Sequence, residues 1–103
     1  MINWDDYKYN QKFSLSIEDG ERTDEVQVQL IEYGWHEHGR IKITAKLQVM
    51  SSDKPAVWHK DAIIELPIKT EGVISFIVLE HTSNIPRYKT IHKGEIKKMT
   101  VLE

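Results

Sequence analysis

Three histidines come nearest, by type and spacing, to a chemistry in this chain. His36 and His38 flank Glu37, and His92 lies far along in a basic stretch. On an extended strand His-x-His points both rings to one face, and neutral imidazoles give zinc three nitrogen ligands with a fourth position left for water. His36, His38 and His92 are thus the candidate ligands of a small metal-dependent β-barrel enzyme. Against this, the run Gly34-Trp35-His36-Glu37-His38-Gly39 reads as a turn, where the two rings need not share a face. Neither a second His-bearing glycine motif nor a placed general base accompanies them. The expectation is no bound metal and no cofactor.

Other catalytic patterns are weaker still. Asp5 and Asp6 are adjacent, so on an extended chain they point to opposite faces and cannot readily share a proton. Nucleophile elbow, phosphate-binding loop and dinucleotide fingerprint are all absent from the sequence. With no cysteine there is no disulfide framework, no thiolate nucleophile and no zinc–thiolate site. The balance of these observations is against an enzyme.

Charge offers a second line of reading. Residues 18–37 hold seven acids against Arg22, whereas residues 87–98 hold Arg87, Lys89, Lys93, Lys97 and Lys98 against Glu95, so a net charge of -2 conceals a dipole along the chain. A two-residue turn at Lys93-Gly94 would set Lys89 opposite Lys98, and like charges across a ladder are destabilising. An anionic partner would relieve them, which makes Arg87, Lys89, Lys97 and Lys98 a candidate anion site in a basic hairpin. Nucleic acid is one such partner. The competing explanation is that lysines on an exposed strand block sheet-to-sheet aggregation.

Aromatic residues gather at one place in the chain. Trp4, Tyr7 and Tyr9 precede the first strand signal, and Tyr33 and Trp35 approach the turn at 36–38. Most aromatics in a domain of this size are packing residues. Trp and Tyr beside turns also make the hot spots of interfaces, so Trp4, Tyr7, Tyr9, Tyr33 and Trp35 form the candidate surface for a protein partner.

The elements that must position these groups are strands. Phe13, Leu15 and Ile17 alternate with Ser14 and Ser16, the period of a half-buried strand. Val26, Val28 and Leu30 alternate likewise until the phase shifts to Ile31, Tyr33 and Trp35, which predicts a bulge or a change of sheet. Ile41, Ile43, Ala45, Leu47 and Val49 give the cleanest alternation, and with 25–35 they predict a long hairpin. Pro67, lacking an N–H, predicts an edge or a bulge in the strand carrying Ile64, Leu66 and Ile68. Residues 73–79, apolar on both faces except Ser75, predict a strand covered on each side. Residues 88–92 and 96–102 are read as a last hairpin.

Seven such strands with no helical stripe predict an all-β fold, an antiparallel sandwich or a small β-barrel. At 103 residues the chain is read as one domain, 1–103, able to fold without metals or disulfides. Alternating strand directions put the turns at 19–24, 51–61 and 82–86 at one end and those at 36–38, 70–72 and 93–94 at the other. His36, His38 and His92 then share an end with the aromatic segment 4–9, while His59 and His81 lie at the opposite end beside Trp58 and Asp61.

Acidic residues at the N-terminus speak against a signal peptide, and no stretch approaches the roughly 18 apolar residues of a membrane span, so a cytoplasmic location and no membrane partner are expected. Heavy use of Ile and Lys follows the coding bias of an AT-rich genome and points to a bacterial or phage source. The function expected is a non-catalytic binding or regulatory module that acts on another protein. The alternatives are nucleic-acid binding through 87–98 and the metal-dependent enzyme of His36, His38 and His92.

Overall fold

Alternation becomes burial wherever the chain pairs. In the computed structural model, which describes residues 1–34, 44–82 and 85–103, Phe13, Leu15 and Ile17 of strand β2 (Lys12–Asp19) point into the core. So do Val26, Val28 and Leu30 of β3 (Arg22–Gly34) and Ala45, Leu47 and Val49 of β4 (Thr44–Ser52). Ile64 and Leu66 of β5 (Ile63–Pro67) and Phe76 and Val78 of β7 (Val73–Thr82) complete the interior with β8 (Ile85–Leu102). The order β2-β3-β4-β5-β7-β8 is an antiparallel meander that closes on itself when β8 pairs with β2. Of the two architectures expected, the barrel is the one formed.

Two short strands stand outside it. Pro67 ends β5, and the chain leaves the barrel to pair β6 (Lys69–Thr70) with β1 (Ile2–Asn3). The break signalled by this proline is therefore a strand end. The phase slip after Leu30 is a bulge: Leu30 faces Leu47 and Glu32 faces Lys46, so Ile31 is the extra residue and Tyr33 turns inward opposite Ala45. Residues 35–43, including Ile41, Ile43 and the tip of the predicted long hairpin, lie outside the described residues.

Two tryptophans close the ends. Trp4, wholly buried in a short 3₁₀ turn (Trp4–Asp6), donates its Nε1 proton to Thr70 Oγ1 at 2.9 Å and stands edge-on to Phe13. Trp58, in the loop between β4 and β5, stands edge-on to Phe76 at the other end.

Two strand expectations need correction. Residues 73–79 are not covered on both faces: in a barrel wall only Ile74, Phe76 and Val78 face the core, and Val73 is 70% exposed. Residues 88–102 are not a hairpin either, because β8 runs unbroken through Lys93 and Gly94. Lys89 faces Leu79 and Lys98 faces Ser16, so the repulsion that called for an anionic partner does not exist.

Gly94 serves close approach and not a turn. It is buried where β8 crosses from β7 to β2, and a Cβ there would stand 2.9 Å from the Glu18 carbonyl oxygen and 3.1 Å from Ile17 Cγ2. Gly94→Val should therefore part β8 from β2 and lower stability by about 1–3 kcal/mol, the usual range for overpacking. Urea unfolding checks this, and a wild-type midpoint would show that β2 yields without cost.

Candidate functional site

Trp4, Tyr7, Tyr9 and Tyr33 of the aromatic set assemble at the end their turns predicted, but largely as structure. Tyr33 donates its hydroxyl to the Trp4 carbonyl at 3.1 Å and also to that of Tyr7, locking the N-terminal segment over the barrel mouth. Burial, and then the carboxylate of Asp5, raise the Tyr33 phenol above the ordinary tyrosine value, so it stays a donor. Tyr7 stands edge-on to Phe13. Trp4, as a core plug, cannot be a contact residue for a partner. Among the described members Tyr9, 51% exposed and 4.9 Å from the Tyr33 ring, is the one that presents a face to solvent. Trp35 lies outside the described residues.

His36 and His38 also lie outside the described residues, and His92 is not at the end assigned to it. Because β8 has no turn at Lys93-Gly94, His92 sits opposite Phe76 on the inner face and packs on Trp58, ring centroids 5.2 Å apart. That is the Trp58 end. Among the described residues no three His, Asp or Glu side chains converge as a metal cage would require. His59, as expected, is near Trp58, with Nε2 2.9 Å from the Ala56 carbonyl and Nδ1 3.5 Å from Glu80 Oε1.

At this end the sequence reading missed a buried carboxylate. Asp24 is 1% exposed, accepts a hydrogen bond from Trp58 Nε1 at 2.8 Å, and pairs with Arg22 Nε at 3.1 Å. Its signal was parity: Asp24 precedes Val26, Val28 and Leu30 at the same two-residue spacing and so faces inward with them. Its Oδ2 holds the Trp58 loop, while the buried Oδ1 has the Arg22 contact and no hydrogen bond. Asp53 supports the same loop by accepting from the Glu25 amide at 2.9 Å, and that bond first of all lowers its pKa.

The anion candidates sit on one strand. Lys89 and Lys93 are exposed, and their cross-strand partners Leu79 and Ser75 belong to the outer face of β7. Lys98 lies on the outer face opposite Ser16, and Lys97 is the extra residue of a bulge, held 3.1 Å from Glu95. That carboxylate raises the Lys97 pKa. The side chain of Arg87 is not among those described. A pocket of about 280 Å³ opens beside Thr70, Glu71 and Glu95. Thr70 is engaged by Trp4 and Pro67 and Glu95 by Lys97, while Glu71 is exposed and makes no ion pair with a described residue.

The outer surface is sharply uneven. Around β2, β3 and β4 it carries Ser14, Ser16, Gln27, Gln29, Lys46 and Gln48, as a solvated wall should. Around β5, β7 and β8 it carries Ile63 beside Leu79 and Ile77 beside Ile91, with Ile91 60% exposed. Lys89 and Lys93 flank Ile91 along β8, and Glu65 flanks Ile77 on β5. Ile63, Ile77 and Leu79 are half-buried among their neighbours, and Ile91 is the most open of the four.

Fold and surface together define a small closed meander β-barrel with an apolar strip on the outer face of β5, β7 and β8. No protein-family model matches the chain, and no match was found among curated proteins or among solved structures. No helix among the described residues is long and apolar enough to cross a membrane.

Proposed function

We propose that the protein is a non-catalytic binding module that acts on another protein through the outer wall of β5, β7 and β8. The observation that carries this reading is the apolar strip on the outer face, Ile91 60% exposed with Ile63, Leu79 and Ile77 half-buried, set against the polar outward residues Ser14, Ser16, Gln27, Gln29, Lys46 and Gln48 of β2, β3 and β4. The core is already complete without these side chains, so their apolar character has no role in closing the barrel. Exposed contiguous apolar surface rimmed by polar groups is the usual mark of a protein contact.

The nucleic-acid alternative draws on the same strand and is less well supported. A phosphate-tracking surface needs serial cations and stacking rings. Here Ile91 separates Lys89 from Lys93, Glu95 neutralises Lys97, and no described aromatic shares the outer face of β8. The non-catalytic part of the reading rests on the commitment of Asp24, Thr70 and Glu95 to structural partners.

Site-specific photocrosslinking in the source cell tests the proposal. A benzophenone side chain in place of Ile91 should give a discrete protein adduct, lost when Ile77→Asp is added, whereas the same group in place of Gln27 should give none. Equal labelling from both walls would overturn the reading. So would retardation of DNA or RNA that falls steeply with salt and is lost in Lys89→Ala, which would transfer the surface to nucleic acid.

A further inference from the structure

We infer that the first half of β8 is an open sheet edge that accepts an added strand from the partner, an extended segment carrying carboxylates at positions i and i+4 and an apolar side chain at i+2. This rests on the protein-binding reading above and names how, and with what chemistry, that contact is made. The barrel closes unevenly. On one side β8 pairs with β7 from Ile85 to Glu95, but on the other β2 reaches only from Leu102 to Glu95, where Glu18 meets it. Beyond that point β2 turns back through Gly20, whose φ of 61° suits a tight reversal. Among the described residues no strand and no backbone hydrogen bond occupies the side of residues 85–92 that faces away from β7.

Side-chain burial reports the same gap independently. Thr90 and His92 are on the inner face, opposite Val78 and Phe76, which are both wholly buried. Yet Thr90 is exposed and His92 is only half-buried. Inward-facing residues become accessible where a neighbouring wall is missing. The floor of the notch is the Trp58 ring under His92, fixed by Asp24.

A strand laid along this edge would take main-chain hydrogen bonds from β8 and direct alternate side chains outward beside Lys89, Ile91 and Lys93. Neither lysine makes an ion pair with a described residue, while Glu95 beyond them is held by Lys97. Opposite charges across a ladder stabilise it, so the outer positions call for acid, apolar, acid. A second copy of this chain is the poorer occupant. Two β8 edges paired antiparallel about Ile91 would set Lys89 against Lys93 of the copy. Lysines and Pro86 are also devices that guard a bare edge against pairing, and a pure guard would bind no strand at all.

Nuclear magnetic resonance titration with synthetic peptides decides between these. The probe is the capped heptapeptide Thr-Glu-Thr-Val-Thr-Glu-Thr, its control has Lys for Glu, and two further versions are N-methylated at alternate residues, one along each edge. The acidic peptide should shift the amides of residues 89–93 saturably and slow their hydrogen exchange. The basic peptide should bind roughly tenfold more weakly, and Lys89→Glu with Lys93→Glu should reverse that order. N-methylation along one peptide edge, and not along the other, should abolish binding. Absence of saturable shifts at β8, equal affinity for both peptides, indifference to methylation, or a dimer of the free protein joined at β8 would each overturn the inference. If the Ile91 crosslink persists while the peptides fail, strand addition falls and the protein-binding reading stands.

Discussion

Leu47→Asp is expected to unfold the barrel, and Gln48→Asp to leave it folded. Leu47 is wholly buried between Leu30 on β3 and Ile64 on β5, with no polar group at hand to receive a charge. An unpaired carboxylate in such a place costs more than the roughly 5–15 kcal/mol that holds a domain of this size together, unless it takes up a proton or the wall opens. Gln48, one residue on, faces the other way, opposite Gln29 and Ile63 on the outer surface, where an acid keeps its water. Circular dichroism at 25 °C and thermal melts give the comparison. Similar damage from both would mean that β4 is not a one-sided wall, and the closed barrel would go with it.

That pair also marks how much was legible in the sequence. Period-two alternation in 13–17, 26–30 and 45–49 maps directly onto one buried and one wet face, because nothing but neighbour strands is needed to express it. The slip at Ile31 was legible for the same reason. Strand direction was also countable, which put Trp58 and His59 at one end and Trp4 with Tyr33 at the other, as they are found.

Failures came where a residue answers to something distant in the chain. Lys93-Gly94 has the composition of a turn, but Gly94 is small because the Glu18 carbonyl, far away in sequence, presses against it. One misread glycine split β8, moved His92 to the wrong end and created a lysine repulsion that does not exist. The apolar 73–79 was read as a doubly covered strand because periodicity reports apolar faces and cannot report whether anything lies on them. The same error concealed the outer strip. Of the aromatic set, Trp4 looked like a surface residue because its partner Thr70 is 66 residues away. The open edge of β8 depends on where β2 stops relative to β8, a stagger that no local pattern encodes.

Trp58 carries the second large expectation. Trp58→Ala should destabilise the protein by about 3–5 kcal/mol, the range for emptying a buried aromatic site. It also strips Asp24 of its buried donor, leaving only Arg22, itself 44% exposed in its side chain. Trp58→Phe separates the two contributions. It keeps a ring against Phe76 and His92 but removes the indole N–H, so its cost should be about 1–3 kcal/mol, that of a buried acceptor left short. Asp24→Asn keeps an acceptor for Trp58 and surrenders a half-exposed ion pair, and it should cost less than either. Urea midpoints at constant m give the order. If Trp58→Phe matched Trp58→Ala, the hydrogen bond to Asp24 rather than the packed ring would be what holds this end closed. Because His92 rests on the Trp58 ring, loss of that ring should also disturb the amides of residues 90–92, carrying the effect from the plug of the barrel to the edge where a partner strand would add.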